Sequence, residues 1–230
     1  SRYLRTRSSP KPPSPRYGCA STSSLLGASG MSVRLLWQAA KQPVKLGGVG
    51  PGDASYGMAR VLKEVLGLPV QPIPGYKGTA DIRLAAESGE IAGGCWQWES
   101  IKVIWRKGLE TGDANVVLQL VPKPHPELPK VPLALSLAKN DEARILLQAA
   151  VHDPNSITRP YSLPPGTPKD RVKILQKAFM DTMKDPEFLA DAKKSQLDLD
   201  PVSPEEVEKT VARFFKLDPT LIARLREILK

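Results

Sequence analysis

A glycine-rich stretch between a short apolar run and an amphipathic run constrains the fold of this chain most. Its sequence, KLGGVGPGDASY over residues 45–56, places glycine at 47, 48, 50 and 52. Glycine tolerates positive φ and lets the backbone approach a neighbour closely. Strand residues Val44 and Leu46 flank the stretch, and Asp53 or Ser55 can cap a following helix. Apolar residues then recur at helical spacing: Met58, Val61, Leu62 and Val65.

The same stretch has the character of an anion site. A helix that begins directly after glycines presents free N–H groups and the positive end of its dipole. It is not a P-loop, because the run ends Gly52-Asp53 and not Gly-Lys-Ser/Thr. It is not a dinucleotide fingerprint, because Asp53 replaces the third glycine and Gln71 lies where an acidic residue is expected. A carboxylate is therefore the better candidate anion, and a tight turn without a ligand is the alternative.

Composition and charge exclude several classes of protein. The chain has 230 residues, 41% of them hydrophobic, which suffices for one large or two small domains. It holds no apolar run of about 18 residues to span a membrane and no signal peptide near Ser1, which indicates a processed or truncated chain. Residues 1–52 have eight basic residues and no acid, so they supply most of the net charge of +9. Without interleaved aromatic residues this segment predicts a disordered tail over 1–18 and no nucleic-acid surface.

Metal-binding and catalytic signatures are absent from the spacing of the residues. Cys19 and Cys95 are the only cysteines, and with two scattered histidines they form no metal motif. A disulfide between them is left open. Groups with acid or base chemistry are present, but no nucleophile is spaced to pair with a base: His125, His152, Asp53 and Glu99. We therefore expect no metal, no cofactor and no enzymatic activity.

From Val44 onward, strand and helix patterns alternate, which predicts an α/β fold with a mostly parallel sheet. Further strands are expected at Val70–Ile73, Glu90–Cys95, Asn115–Leu120 and Ile157–Leu163. Helices are expected with Thr79 as a cap, over Ser100–Arg106, and from Asn140 or Asp141.

The last third of the chain predicts four helices that start at N-cap and proline pairs. The pairs are Thr167-Pro168, Asp185-Pro186, Ser203-Pro204 and Asp218-Pro219. Glu206 completes a capping box with Ser203. The faces expected to point inward are Val172, Leu175, Phe179 and Met183; Phe188, Leu189 and Ala192; Val207, Val211, Phe214 and Phe215; and Leu221, Ile222, Leu225 and Ile228.

Several stretches, taken in order, resemble a known family. They are GYKGTAD at 75–81, LAA at 84–86, GEIAG at 89–93, RPY at 159–161, PPGTP at 164–168 and DPEFL at 185–189. Together with the glycine-rich stretch they resemble the solute-binding receptors of tripartite tricarboxylate transporters, the Bug family, over about residues 25–230. The resemblance implies a monomeric periplasmic receptor that captures a small carboxylate and delivers it to membrane transporter subunits.

The resemblance also implies a type II periplasmic-binding-protein-like fold, with two α/β lobes around a cleft. Residues 44–155 correspond to lobe two, and 25–43 with 156–230 to part of lobe one. Members of the family open with a lobe-one segment that the basic tail, 1–24, does not resemble, so we expect the first lobe to be incomplete. An α/β enzyme acting on a small anionic substrate and a truncated, non-functional fragment are the alternatives.

In that fold, a ligand carboxylate would meet backbone N–H groups at two helix starts, Gly50–Ser55 and Tyr76–Thr79. Side-chain hydroxyls and two tryptophans would complete the cleft, although the tryptophans fit a lobe core equally well. Asp53 and Asp81 are interpreted as caps. The predicted substrate-binding residues are Gly50, Gly52, Ser55, Tyr56, Gly75, Tyr76, Thr79, Trp96 and Trp98.

Overall fold

The computed structural model of the chain describes residues 18–20, 24–26, 43–157, 160–195, 197 and 199–230. The prediction of a disordered tail therefore lies mostly outside the described residues. Strand β1 (Gly18–Ala20) begins at the last residue of the predicted tail, and β2 (Ser24–Leu26) follows it. The backbones of both strands pair with a later strand, and the tail over 1–24 stays a prediction.

The centre of the fold is a parallel sheet of β3 (Val44–Gly47), β4 (Val70–Ile73) and β5 (Gly93–Gly94) in the order β4-β3-β5. The strands β3 and β4 match their predicted positions. The strand expected over Glu90–Cys95 is reduced to two residues. Its two residues pair with Leu46 and Gly47 of β3, and just before it Ala92 N–H donates to Lys45 O at 2.9 Å.

A second set of strands gathers around β6 (Val116–Gln119). Strand β6 pairs in parallel with β1 and antiparallel with β2, and β1 and β2 pair antiparallel with each other. The strand predicted over Asn115–Leu120 is thereby confirmed with trimmed ends. The sheets confirm the α/β fold class with a parallel sheet.

Helices lie between the strands as far as β6, and further helices follow it. They are α1 (Ala54–Glu64), α2 (Thr79–Glu87), α3 (Trp98–Ile104), α4 (Arg106–Thr111), α5 (Asp141–Leu147), α6 (Asp153–Ser156), α7 (Lys169–Thr182), α8 (Pro186–Lys194), α9 (Pro204–Phe214) and α10 (Pro219–Leu229). A π-helical turn, Gln148–His152, joins α5 to α6. In the part of the chain that is described, no helix combines the length and apolarity needed to cross a bilayer.

Most of the predicted helix caps are confirmed by hydrogen bonds from backbone N–H groups to the cap side chains. The capping residues are Asp53, Asn140, Asp185, Ser203 and Asp218. Each side chain satisfies an N–H that the helix itself leaves without a partner.

Two predicted caps are wrong by one residue. The first backbone bond of α2 runs from Ile82 N–H to Gly78 O at 3.1 Å, so Gly78 is the N-cap and Thr79 the first helical residue. At α7 the N-cap is Pro168. The Thr167 hydroxyl donates instead to Pro164 O at 2.7 Å, which makes it unavailable to the helix.

Apolar side chains form two clusters on the parallel sheet. The first lies between the sheet and α1 and includes Leu46, Val61, Leu62 and, from the last helix, Ile228. The second joins α2 and α3 through Ile82, Ile101 and three tryptophans, Trp96, Trp98 and Trp105.

The segment from 157 to 195 departs most from the predictions. Described residues 160–163 form no strand, and Tyr161 is almost fully exposed. Prolines at 160, 164 and 165 have no N–H to donate to a neighbouring strand. The apolar face predicted to point inward on α7 is also wrong here, because α7 buries no residue and α8 buries only Ala192.

Candidate functional site

The carboxyl ends of β3, β4 and β5 meet at one edge of the parallel sheet. The chain leaves β3 toward β4 on one side and later returns through α2 to β5 on the other side. The crevice between β3 and β5 is therefore a topological switch point, the position at which open α/β sheets bind ligands. The glycine-rich stretch follows β3 directly, so it lies at this edge.

Two predicted loops lie side by side at the edge. Gly48 N–H donates to Ile73 O at 2.9 Å, and Gly75 N–H donates to Val49 O at 3.1 Å. Tyr76 N–H reaches Gly48 O at 3.4 Å. The structure therefore brings the two predicted loops together, and it uses the N–H groups of Gly75 and Tyr76 to join them. These two N–H groups are then not the ones that face a ligand.

At the N-terminus of α1, the N-cap side chain satisfies the backbone N–H of Ser55. The Asp53 carboxylate accepts from Ser55 N–H at 2.9 Å and also from the Ser55 hydroxyl. That hydroxyl accepts from Val49 N–H at 3.3 Å. Ser55 is buried, and its hydroxyl joins Val49 of the loop to the cap residue Asp53.

The N-terminus of α2 is more open. Its N-cap, Gly78, provides no side chain, and Asp81 in the first turn accepts from Lys77 N–H at 3.2 Å. Thr79 is half-buried at the first helical position, where a backbone N–H has no partner within the helix. This helix start is the less satisfied of the two.

The glycines of the two loops serve different purposes. Gly52 and Gly75 have φ of +87° and +112°, a region that disfavours other residues, and a Cβ on either would meet no atom within 4 Å. A Cβ on Gly48 would stand 2.8 Å from the Cα atom of Tyr56. Gly50 is half-buried, and its carbonyl accepts from Asp53 N–H at 3.0 Å.

The Tyr76 hydroxyl is engaged by a carboxylate of this chain. It donates to Glu90 Oε1 at 2.7 Å. Burial raises the pKa of Tyr76 to about 12, with the hydrogen bond and charge of Glu90 acting in the same direction. The side chain is therefore a neutral donor at physiological pH. Sequence reasoning missed Glu90 because its distance of 14 positions from Tyr76 follows no local pattern.

The predicted tryptophans are both buried. Trp96 lies at the switch point, since a Cβ on Gly94 would stand 2.8 Å from Gly47 O and 2.9 Å from the Trp96 ring. It packs edge-on against Trp105 at 4.9 Å, and the indole Nε1 atoms of both are buried without a hydrogen-bond partner.

Trp98 takes part in a polar cluster at the edge of the second apolar cluster. Its indole N–H donates to Glu127, which also accepts from Lys102 at 3.1 Å, and the Lys102 Nζ lies 5.8 Å from the Trp98 ring centroid. Burial acts to raise the pKa of Glu127, but the hydrogen bonds from Trp98 and Lys102 and the Lys102 charge lower it. Glu127 escaped sequence reasoning because it lies in a proline-rich connection 29 positions away.

A groove of about 2360 Å³ is lined by residues of α3, α4, α7, α8 and α9. Of the predicted site residues only Trp98 lines it. Three of the candidate acid or base groups line it too: Glu99, His125 and His152. The His125 Nδ1 atom accepts from Glu127 N–H at 3.2 Å. Among the described residues, no group of three His, Cys, Asp or Glu side chains is placed to hold a metal ion.

An ion pair between a buried carboxylate and a half-exposed arginine beside this groove was not predicted. The Asp153 carboxylate accepts from Arg213 Nη2 at 2.7 Å and Nε at 3.1 Å, and from Gln148 Nε2 at 2.6 Å. Arg213 also donates to the buried Thr210 hydroxyl at 3.0 Å. The pair joins the start of α6 to the end of α9. No sequence signal links positions 60 residues apart.

An open parallel α/β sheet with a loop-lined crevice at its switch point is an architecture of ligand-binding proteins. No protein-family model and no curated protein matches the sequence. Among solved structures, the chain is similar to a TctC solute-binding protein from Polaromonas, determined without ligand, with 17% identity and a TM-score of 0.59. It is also similar to a protein of R. palustris determined with adipate, with 16% identity and a TM-score of 0.50.

These matches show the fold. They cover 91% and 86% of this chain, and the chain spans 67% and 59% of the two proteins. The chain thus has the α/β fold of TctC solute-binding proteins and corresponds to about two thirds of it. The predicted structural resemblance is confirmed at low sequence identity.

Proposed function

We propose that this protein is a solute-binding receptor that captures a small carboxylate outside the cytoplasm. It would deliver the ligand to the membrane subunits of a tripartite tricarboxylate-type transporter, and it would perform no chemistry on it. The fold shared with a TctC solute-binding protein supports this function. A protein with the same fold was determined with adipate, a dicarboxylate, which supports the ligand class.

The proposal rests chiefly on the pairing of the two glycine-flanked loops at the switch point, beside the open start of α2. Backbone N–H groups suit a carboxylate because they donate without a counter-charge that must itself lose its water. In this site the N–H groups around Gly78 and Thr79 hold the carboxylate. Gly50, Gly52 and Tyr56 form the facing loop, and Trp96 closes the floor.

The ligand class is tested by calorimetric titration of the protein with mono-, di- and tricarboxylates, adipate among them. We expect reversible binding of at least one dicarboxylate, with the ligand recovered unchanged. Binding of none of them, or conversion of any of them, would overturn the proposal.

The position of the site is tested with two substitutions of one residue. Thr79→Pro removes the backbone N–H, and proline is well tolerated at the first position of a helix. Thr79→Ala removes the hydroxyl and keeps the N–H. A charge-assisted hydrogen bond contributes about 1.5–3 kcal/mol, so Thr79→Pro should weaken binding about tenfold or more.

Thr79→Ala serves as the matched control and should retain more of the affinity. The melting temperature of both variants without ligand should stay close to that of the wild type. Equal affinity in wild type and Thr79→Pro would place the carboxylate elsewhere.

A further inference from the structure

The ring of Tyr76 packs over the carboxyl end of β3. A Cβ on Gly47, the last residue of that strand, would stand 3.0 Å from Tyr76 Cε2. The same Cβ would stand 2.9 Å from Ile82 Cγ2 and 2.6 Å from Ile91 Cδ1. Unbonded carbon atoms pack at about 3.5–4.0 Å, so the missing side chain of Gly47 provides the room that the tyrosine ring occupies.

The hydroxyl end of the same ring is held by Glu90. Tyr76 donates to Glu90 Oε1 at 2.7 Å, and a hydrogen bond to a carboxylate is stronger than one to a neutral acceptor. The backbone of Glu90 is itself held, because its N–H donates to Ala85 O at 3.0 Å in the turn after α2. The Tyr76 side chain is therefore fixed at both ends, by packing on β3 and by a bond to the chain that follows α2.

The backbone of Tyr76 belongs to the loop that leads into α2. Its N–H donates to Gly48 O at 3.4 Å, which is longer than the usual N–H···O distance of about 2.7–3.2 Å. Two residues later, Gly78 and Thr79 form the start of α2, where the proposed function places the carboxylate. The position of Tyr76 therefore influences the direction of the N–H groups at that helix start.

The Tyr76 side chain is the main anchor of this loop. Glycine at 75 and 78 gives the backbone conformational freedom on both sides of Tyr76 and Lys77. Lys77 is exposed, whereas Tyr76 packs against the second apolar cluster. A displaced tyrosine ring would consequently let the start of α2 move.

We infer that Glu90 is a positioning residue of the proposed carboxylate site and that it acts through Tyr76. The Glu90 carboxylate holds the tyrosine ring over Gly47, the ring holds the loop over 75–79, and the loop directs the N–H groups at the start of α2. Glu90 acts without touching the ligand. The inference rests on the proposed function, because it concerns the affinity for a carboxylate.

The charge of Glu90 and its positioning role predict opposite effects on binding. A carboxylate near an anion site repels the ligand, so removing the charge alone should strengthen binding slightly. Glu90→Ala removes the charge and also the acceptor of the tyrosine hydroxyl. We expect calorimetric titration to show binding of adipate weakened by about fivefold or more in this variant. Equal or tighter binding would overturn the inference.

The conservative variant Glu90→Gln separates the acceptor from the charge. It retains an oxygen that accepts from the Tyr76 hydroxyl, so its affinity should stay within about twofold of the wild type. A loss as large as that of Glu90→Ala would contradict the inference.

A double-mutant cycle tests whether Glu90 acts through Tyr76. Tyr76→Phe keeps the ring and removes the hydroxyl, so it should weaken binding as much as Glu90→Ala does. The double variant should lose no more than either single variant, because both changes break the same hydrogen bond. Additive losses would show that the two residues act separately and would overturn the inference.

Glu87→Ala is the matched control for the loss of a carboxylate. Glu87 lies at the end of α2, where it pairs with Arg83 at 2.8 Å and not with Tyr76. Its removal changes the charge of the same helix end, so adipate affinity should stay within about twofold of the wild type. A loss equal to that of Glu90→Ala would assign the effect to charge and would refute the positioning role.

Amide hydrogen exchange without ligand gives an independent measure of the loop. The Gly75 N–H, bonded to Val49 O at 3.1 Å, reports whether the two loops stay joined. Its exchange should be about tenfold faster in Glu90→Ala and Tyr76→Phe and unchanged in Glu87→Ala. Equal exchange in all three variants would overturn the inference.

The wild type distinguishes failure of this inference from failure of the proposed function. If it bound no carboxylate, the proposed function would be refuted, and the role of Glu90 in binding with it. If it bound adipate and Glu90→Ala bound it equally well, only the positioning role would be refuted.

Discussion

At the scale of single residues, glycine performs two separate tasks in the loops at the switch point. Gly52 and Gly75 supply positive φ with open space around them. Gly48 is required because Tyr56 lies directly against it and leaves no room for a side chain. The sequence does not distinguish these two requirements for glycine. Only the structure shows which glycine is needed for its backbone conformation and which for close packing.

Gly48→Ala should therefore be destabilising by about 1–3 kcal/mol, because the new Cβ has to displace the backbone of α1. Gly78→Ala is the matched control, since its Cβ would meet no atom within 4 Å. Urea unfolding of the two variants gives the comparison. Equal stability of both variants would show that the loop adjusts freely.

His152 carries a prediction about pH. Burial lowers the pKa of His152, and the charge of Asp153 offsets only part of that effect. Between the lowered pKa and about 6.5, the unfolded chain binds the proton and the folded protein does not. Stability should thus be complete above about pH 6.5 and fall as the pH drops below it. Urea unfolding from pH 7.5 to 5 measures the slope, and a His152→Gln variant that keeps the full slope would refute the assignment.

At the scale of elements, helix starts follow short-range rules, whereas links between helices do not. The cap side chains at Asp185, Ser203 and Asp218 act on N–H groups two or three positions away. The contact between α6 and α9 joins Asp153 to Arg213 across 60 positions. It fixes α9 beside the π-helical turn.

Arg213→Met should destabilise the protein by about 2 kcal/mol, because it leaves the Asp153 carboxylate buried without its charge partner. The side chains are 4% and 50% exposed for Asp153 and Arg213, so solvent weakens the effect below that of a fully buried pair. Lys177→Met is the matched control, because its ion pair with Asp181 is exposed and contributes about 0.5 kcal/mol or less. Thermal unfolding at two salt concentrations compares them. An equal loss of stability in both variants would show that the Asp153–Arg213 ion pair does not stabilise the contact between α6 and α9.

At the scale of the whole molecule, the last helix packs into the first apolar cluster. Ile228 of α10 is 1% exposed within the cluster that contains Leu46 and Leu62, and Arg60 Nη2 donates to Glu227 O at 3.1 Å. The end of the chain therefore packs on residues of the predicted lobe two. The division into 44–155 and 156–230 stays a prediction.

Ile228→Ala should cost about 3 kcal/mol, because it opens a cavity in this core. Leu229→Ala, at a neighbouring residue that is 37% exposed, should cost clearly less. Chemical denaturation followed by far-ultraviolet circular dichroism gives the comparison, because the described tryptophans lie in the second cluster and not in the core that α10 joins. If Ile228→Ala left the midpoint unchanged, α10 would not be part of that core.

The sequence by itself determined what depends on neighbouring residues. It predicted β3, β4 and α1 around the glycine-rich stretch, and the caps of the helices after Asp185, Ser203 and Asp218. These features follow from hydrogen bonds and backbone preferences within a few positions, which a sequence displays directly. The site predicted at the two loops remains a proposal, although the structure brings those loops together.

The tertiary structure decided what depends on distant partners. It reduced the strand predicted over Glu90–Cys95 to Gly93–Gly94, and it used the Tyr76 hydroxyl for Glu90. It also left the predicted apolar faces of α7 and α8 without burial except at Ala192, although the sequence correctly marks those faces as apolar. Apolar periodicity states which side of a helix needs cover, but only the assembled fold determines whether a partner is there to provide it.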